Sequence, residues 1–478
     1  MELQKIHDYL WEIPKTGDMR VPGRVYATRD LLADAKTDES LQQVRNVAHL
    51  PGILKYSIAM PDIHWGYGFP IGGVAATSLD GGVISPGGVG YDINCGVRLV
   101  ATSLVFAENK NRIAELVTGL YNKIPAGVGS SGAVRRLSPA DQRSILETGS
   151  RWAIEKGFGR PEDLEYTEEG GRLENADSEQ VSARAKERGS TQVGTLGSGN
   201  HFLELDVVDQ VFVPEVASAF GIHEGNLAVF IHSGSRGLGY QVCDDFLAVM
   251  GKAMRKYGIQ VPDRQLACAP LDSEEGRSYL AAMSCAANYA WCNRQVMMAL
   301  AEQVFLETLN ISPRELGFRL VYDVCHNVAK FERHVVEGKE QMVCVHRKGA
   351  TRAFPPHSPY LPPAYQAVGQ PVLIPGDMGT GSYILAGTQK AMDETFGSSC
   401  HGAGRVKSRT QALKQAKGRD LFREMGELGI TLMATGRRTV AEEMPEAYKN
   451  VHSVVDAIVR AGISQKVARL RPVGVIKG

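Results

Sequence analysis

The chain has 478 residues and balanced charge, with 53 Lys and Arg against 53 Asp and Glu. That length holds one large domain or roughly two to four ordinary ones and buries a sizeable core. Neutral balance excludes a global cationic field, so any nucleic-acid contact has to use a local patch. Eight cysteines run from Cys95 to Cys400 without a CxxC pair, which excludes a disulfide framework and implies mostly buried, reduced thiols. No basic segment followed by an apolar run opens the chain. No window approaches the roughly 18 apolar residues of a membrane span. A cytoplasmic protein with no membrane contact is expected.

In chain order, residues 1–50 predict a mixed entry, with a strand at Val25–Ala27 and a helix over Leu41–Leu50. Ten glycines fall between Gly66 and Gly96, five times ordinary usage. Interleaved apolar residues make this an ordered set of short buried strands, Gly73–Thr77 and Val97–Leu104, rather than a flexible linker. Residues 109–190 are more polar and helical. Their charged section, Glu162 to Arg188, is expected as a solvated helical face or surface insertion. Leu203, Leu205 and Val207 alternate, and Leu227–Ile231 is a buried strand ending at His232. Residues 276–309 carry the clearest helical periodicity, interrupted by Asn293 and Arg294. Leu320–Val324 and Met342–Val345 are strands ending near His326 and at His346. Val372–Ile374 leads into Pro375-Gly376, and Gln411 to Glu427 reads as one amphipathic basic helix. With no internal repeat, low-complexity segment or linker, one catalytic unit over 1–478 is expected, with 162–188 as a possible insertion.

Asp92 and Cys95 sit three apart in a glycine-rich stretch, so a tight turn brings carboxylate and thiol to one side. Four later segments end an apolar strand or glycine turn in a histidine: His201, His232, His326 and His401. Strand ends are where side chains project into clefts. Asp92, Cys95, His201, His232 and His326 offer more ligands than one ion takes from protein. Two metals sharing Cys95 as a bridge would use them and keep coordination positions open. Ligand softness suggests zinc; the carboxylate and imidazoles also admit manganese.

His401 lies in Cys-His-Gly-Ala-Gly-Arg, where small residues let a phosphate approach the backbone. An imidazole beside Arg405 can attack phosphorus and form a phosphoramidate. The plainer alternative is a histidine in a basic RNA- or phosphate-binding loop. There is no GxxxxGK[ST] loop and no Lys-x-[Asp/Asn]-Gly motif, so any nucleotide chemistry needs an unconventional nucleophile. Arg347-Lys348 with Arg352, Arg405 to Arg409, and Arg437-Arg438 are candidate walls of a phosphate channel.

Several segments together resemble the RtcB family of RNA-splicing ligases, end to end. They are Met60–His64, Gly90–Arg98, Gly197–Phe202, His232–Gly237, His326-Asn327, His346–Ala350 and His401–Arg405. The resemblance implies an α+β fold, a large mixed catalytic domain with short sheets and helices around a deep central cleft. It implies a GTP- and manganese-dependent ligase that joins RNA 3′-phosphate or 2′,3′-cyclic phosphate ends to 5′-hydroxyl ends, in tRNA splicing or RNA repair. His401 would become guanylylated and pass GMP to the RNA 3′-phosphate. One manganese would take Asp92, Cys95 and His201, the other Cys95, His232 and His326. Arg236 and Arg405 would stabilise phosphate, with Asn200 beside them. Guanylate contacts would come from Asn200 through Glu204 (Asn200, His201, Phe202, Leu203, Glu204), from His326 and Asn327, and from Ser382, Tyr448 and Lys477. The loops Pro375-Gly376-Asp377-Met378 and His401-Gly402-Ala403-Gly404 would also touch the nucleotide. Asp377 departs from the small hydroxyl residue common there; its carboxylate would meet guanine N–H groups or cap a turn. An RNA partner, a monomeric state and an archease-type activator complete the expectation. A dinuclear metallophosphoesterase with His401 as general acid, and a non-enzymatic tRNA-binding protein, are the other readings. The metal constellation disfavours the latter.

Overall fold

A computed structural model describes residues 2–35, 39–134 and 136–478. The fold is mixed α+β, built on two large sheets. The first has seven strands in the order Gln4–His7, Leu10–Ile13, Gly23–Tyr26, Ile53–His64, Ile71–Ser78, Lys339–Lys348, Asn327–Val336. The second has eight. Its main path runs Arg319–Cys325, Gly96–Val105, Asn226–Ser233, Phe202–Val211, Ser464–Lys477, Ser382–Gly387, Pro371–Ile374, and Thr431–Ala434 pairs in parallel with Ser464–Lys477. His326 is the single residue between Arg319–Cys325 of one sheet and Asn327–Val336 of the other.

The strands expected at Gly73–Thr77, Val97–Leu104 and Leu227–Ile231 fall inside Ile71–Ser78, Gly96–Val105 and Asn226–Ser233, the one expected at Val25–Ala27 ends at Tyr26, and the helix expected over Leu41–Leu50 is Ser40–Val47. Phe202–Val211 is central and buried on both faces, so its apolar-polar alternation does not mark a solvated side. Leu203, Leu205 and Val207 pack into the main core, while Glu204 and Asp206 are buried on the opposite face.

Three expectations are corrected. The helix Glu274–Leu309 runs 36 residues without a break at Asn293 and Arg294. Both are fully buried, because they reach out of the helix to hold loops of the second sheet. The basic stretch 411–427 is two helices, Arg409–Gln415 and Leu421–Glu427. Gly418 between them has φ +84°, a left-handed conformation that ends the first helix, and Asp420 caps the second. The charged 162–188 stretch is not a uniform solvated face. Asp163 and Glu168 are buried, and Glu168 Oε1 meets Lys330 Nζ at 2.6 Å. No helix among the described residues is long and apolar enough to cross a membrane.

Candidate active site

The turn at Asp92–Cys95 closes by a hydrogen bond from Cys95 N–H to the Asp92 carbonyl at 2.9 Å. Asn94 adopts φ +51°, a conformation asparagine tolerates better than most residues. A buried network holds it there. Arg294 donates to the Asn94 carbonyl (2.8 Å) and side chain (2.9 Å), and to the Ser233 carbonyl (2.8 Å). It also pairs with Asp323, which Arg98 shares at 2.7 Å. The helix thus carries the guanidinium that joins the Asp92–Cys95 turn to the end of the strand bearing His232.

Five side chains converge on this turn. Cys95 Sγ lies 3.5 Å from His201 Nε2 and 3.2 Å from His232 Nε2. His232 Nε2 lies 3.2 Å from His326 Nε2, and His201 Nε2 lies 2.8 Å from Asp92 Oδ2. The donor atoms form two triads, Cys95–His232–His326 and Asp92–Cys95–His201, each with its atoms within 4.8 Å of one another. Cys95 belongs to both. The outer ring nitrogens fix the tautomers: His201 Nδ1 donates to the Leu196 carbonyl and His232 Nδ1 to the Asn200 carbonyl, both at 3.1 Å. Their Nε2 lone pairs therefore point at the triads, as metal ligands require. Burial holds the His232 and His326 imidazoles well below their ordinary pKa, hence neutral. Burial would raise the Asp92 carboxyl, but His201 overrides it and lowers it. Burial and Asp92 push the Cys95 thiol well up, a bias that a cation reverses. Carboxylate, thiolate and imidazoles on this geometry fit two divalent cations bridged by one sulfur. Gly234 makes the approach possible: a Cβ there would lie 2.3 Å from Asp92 Oδ1.

The triads open into a cleft of about 410 Å³ between the two sheets. His401 lines it. Its Nδ1 lies 2.6 Å from Asp62 Oδ2, which also accepts from the His401 backbone N–H at 3.0 Å. That leaves Nε2 bare toward the cavity. The His401 and His326 rings are 4.8 Å apart, so the candidate nucleophile sits against a candidate metal ligand.

Most of the expected site residues reach this cleft. Asp92, Cys95, Asn200, Phe202, Glu204, His232, His326, Asn327, Pro375 through Met378, His401 through Arg405, Tyr448 and Lys477 all line it. Four do not. His201 stands behind as part of its triad. Leu203 points into the core, as alternation dictates once Phe202 and Glu204 face the cleft. Ser382 is buried behind the loop, its hydroxyl accepting from Gly376 N–H at 3.2 Å. Arg236 lies off the wall, donating to Thr195 Oγ1 and the Gly127 carbonyl, both at 3.3 Å. Asp377 caps a turn: its Oδ1 accepts from Gly379 and Thr380 N–H at 2.9 and 3.0 Å.

The basic clusters divide. Arg347 and Arg352 line no channel; they are buried against Glu332 and against Glu168 and Glu169. Lys348, Arg405 and Arg409 line the cleft. Arg437 and Arg438 line a separate open groove with Lys414 and Lys417. Burial lowers the Lys348 ammonium to about 7, and a phosphate in the cleft would restore its charge.

Sequence reasoning gave no individual role to Asp62, His64 or Glu443, whereas Lys348 was expected on a phosphate-channel wall and lines the cleft. Asp62 lies within Met60–His64, and an acid inside the apolar run Ile58–Ile63 was the available signal. Glu443 carried none. It is buried and lines the cleft, receiving the Tyr448 hydroxyl and Arg405 Nη1, the latter at 2.8 Å.

The comparisons with known proteins agree over the whole length. The family described as tRNA-splicing ligase RtcB matches residues 43–478. A tRNA-splicing ligase RtcB of Archaeoglobus fulgidus is 54% identical over 478 residues, covering 100% of this chain and 99% of the relative. One of Thermococcus kodakarensis is 54% identical over 477 residues, with 100% and 99% covered. One of Aeropyrum pernix is 51% identical over 479 residues, with 99% of each covered. With a cleft that joins two candidate metal-ligand triads to a carboxylate-bound histidine, and with identity of this extent, the chain belongs to the tRNA-splicing ligase RtcB family.

Proposed function

We propose that this enzyme is a GTP- and manganese-dependent RNA ligase. It joins 3′-phosphate or 2′,3′-cyclic phosphate ends to 5′-hydroxyl ends, in tRNA splicing or RNA repair. The observation that carries the reading is His401: Nδ1 held by Asp62, Nε2 facing a cleft walled by the metal-ligand triads.

The Asp62 carboxylate fixes the His401 proton on Nδ1 and supports the positive charge the ring gains on attack. Nε2 then forms an N–P bond to the α-phosphorus of GTP, and the P–O bond to pyrophosphate breaks. The RNA 3′-phosphate takes GMP from the histidine. The 5′-hydroxyl attacks that activated phosphate and GMP leaves. A cyclic phosphate end is first opened by water. Manganese on Asp92, Cys95 and His201, and on Cys95, His232 and His326, would supply Lewis-acid neutralisation of charge at phosphorus. Lys348, Arg405 and Arg409 supply the cleft's fixed cations. Asn200, Phe202, Glu204, Tyr448 and Lys477 are the side chains available to the guanylate, with the loops 375–378 and 401–404. Because wall residues run from His64 to Lys477, the whole chain 1–478 acts as one catalytic unit in this reading. A monomeric cytoplasmic enzyme with an archease-type activator goes with it.

The test is covalent labelling. The protein is incubated with α-labelled GTP and manganese, then denatured. Label that survives alkali, is lost in acid and is absent from His401→Ala supports the mechanism. An unlabelled wild type, or equal labelling of the variant, overturns it in favour of a dinuclear phosphoesterase.

A further inference from the structure

Three tyrosines form a stair that starts inside the cleft and ends in solvent. Tyr67 and Tyr91 line the cleft wall. Their rings meet edge to face, with centroids 5.5 Å apart at 69°. Tyr91 stacks on Tyr240 at 4.8 Å and 25°. Tyr240 stands outside the wall, on the helix Arg236–Lys256, and is 46% exposed. The Arg188 guanidinium sits over the Tyr240 ring at 5.1 Å. Nothing in the core needs this outer step, because the apolar face of that helix is already buried through Leu238, Val242 and Phe246.

From this arrangement we propose that Tyr67, Tyr91 and Tyr240 are a stacking platform for the unpaired bases of an RNA end entering the cleft. The proposal rests on the ligase reading above. Tyr91 precedes the metal-ligand candidate Asp92, so a strand lying along the stair has its terminal phosphate or hydroxyl delivered to the triads. Aromatic faces accept any base, which suits an enzyme whose broken ends differ in sequence. Arg188 adds a cation to the outermost ring, where a backbone phosphate would follow the base. The surface is continuous with the cleft, and the occupant it fits is single-stranded RNA.

The experiment uses the full chain with manganese, as wild type, Tyr240→Ala and Tyr240→Phe. The probes are short single-stranded RNAs carrying 2-aminopurine at the first or second nucleotide from a 5′-hydroxyl or a 3′-phosphate end. Binding should quench the probe at one of the two ends in wild type and Tyr240→Phe but not in Tyr240→Ala. The KM for that RNA in joining should rise roughly tenfold in Tyr240→Ala, the scale of one lost base–aromatic stack. Histidine labelling by GTP, which needs no RNA, should be equal in all three. Equal quenching in wild type and Tyr240→Ala, no quenching at either end, or an unchanged KM overturns the platform. Loss of GTP labelling in wild type would defeat the ligase reading, while the quenching comparison still decides the platform.

Discussion

Asp62 and His401 are 339 residues apart in sequence and 2.6 Å apart in the cleft. Asp62 Oδ2 also accepts the His401 backbone N–H, so the carboxylate orients both the ring and the loop that carries it. Removing it as Asp62→Ala should slow histidine labelling at least about 100-fold. Asp62→Asn should be impaired as well, since an amide donating to Nδ1 drives the ring proton onto Nε2 and blocks the nucleophile. Bound metal should be unchanged in both variants, which separates positioning from collapse of the site. Wild-type labelling rates in Asp62→Asn would refute the role.

Cys95 belongs to both triads and His326 to one, so the two ligands differ in what their loss should cost. In the proposed two-manganese reading, Cys95→Ala should lose both equivalents, whereas His326→Ala should lose only the one held with His232. Metal content after equilibrium dialysis reads this directly. Two equivalents retained in Cys95→Ala would exclude the thiolate bridge.

Asp323 is fully buried and neutralises both Arg98 and Arg294. Asp323→Ala strands two guanidinium groups away from water. It should cost roughly 3–5 kcal/mol of stability, read as a lower denaturant midpoint. It should also weaken metal binding, because Arg294 holds the Asn94 carbonyl beside Cys95. A stability equal to wild type would show that water reaches the network.

Glu168 gives the fold an acid-sensitive point. Burial alone would raise its carboxyl, but Lys330 and Arg352 prevail and bring it down to about 2, from an ordinary 4.5. A depressed carboxyl stabilises the fold fully above its unfolded value and loses that contribution as pH falls toward the folded one. Roughly 3 kcal/mol should therefore disappear between about pH 4.5 and 2. Denaturant midpoints of wild type and Glu168→Gln across that window should converge at the acid end. Parallel curves would rule out Glu168 as the titrating group.

The metal-ligand candidates were legible because each stood at the end of an apolar strand or in a glycine turn, where periodicity stops. The strands around Val25, Ala75, Val100 and Val229 were legible for the same reason. Three features were not. Arg294 reads as a polar break in a helix until Asp323, Asn94 and the Ser233 carbonyl are seen to surround it. Glu168 reads as solvated charge until Lys330 arrives from the strand Asn327–Val336. Glu443 sits in a charged segment like any surface acid, and only folding brings Arg405 and Tyr448 to it. Each depends on a long-range partner, which local pattern does not encode. At Gly418 one residue able to turn left-handed outranks the amphipathic pattern on both sides of it.

His326 belongs to neither sheet and is the one residue between them. A cation held by Cys95, His232 and His326 would therefore pin the second sheet to the chain at its point of entry into the first. Metal loading and closure of the cleft then become a single linked equilibrium. Chelation should loosen the strands Gly96–Val105 and Asn327–Val336, one from each sheet, together, and hydrogen exchange should register the two as one unit opening.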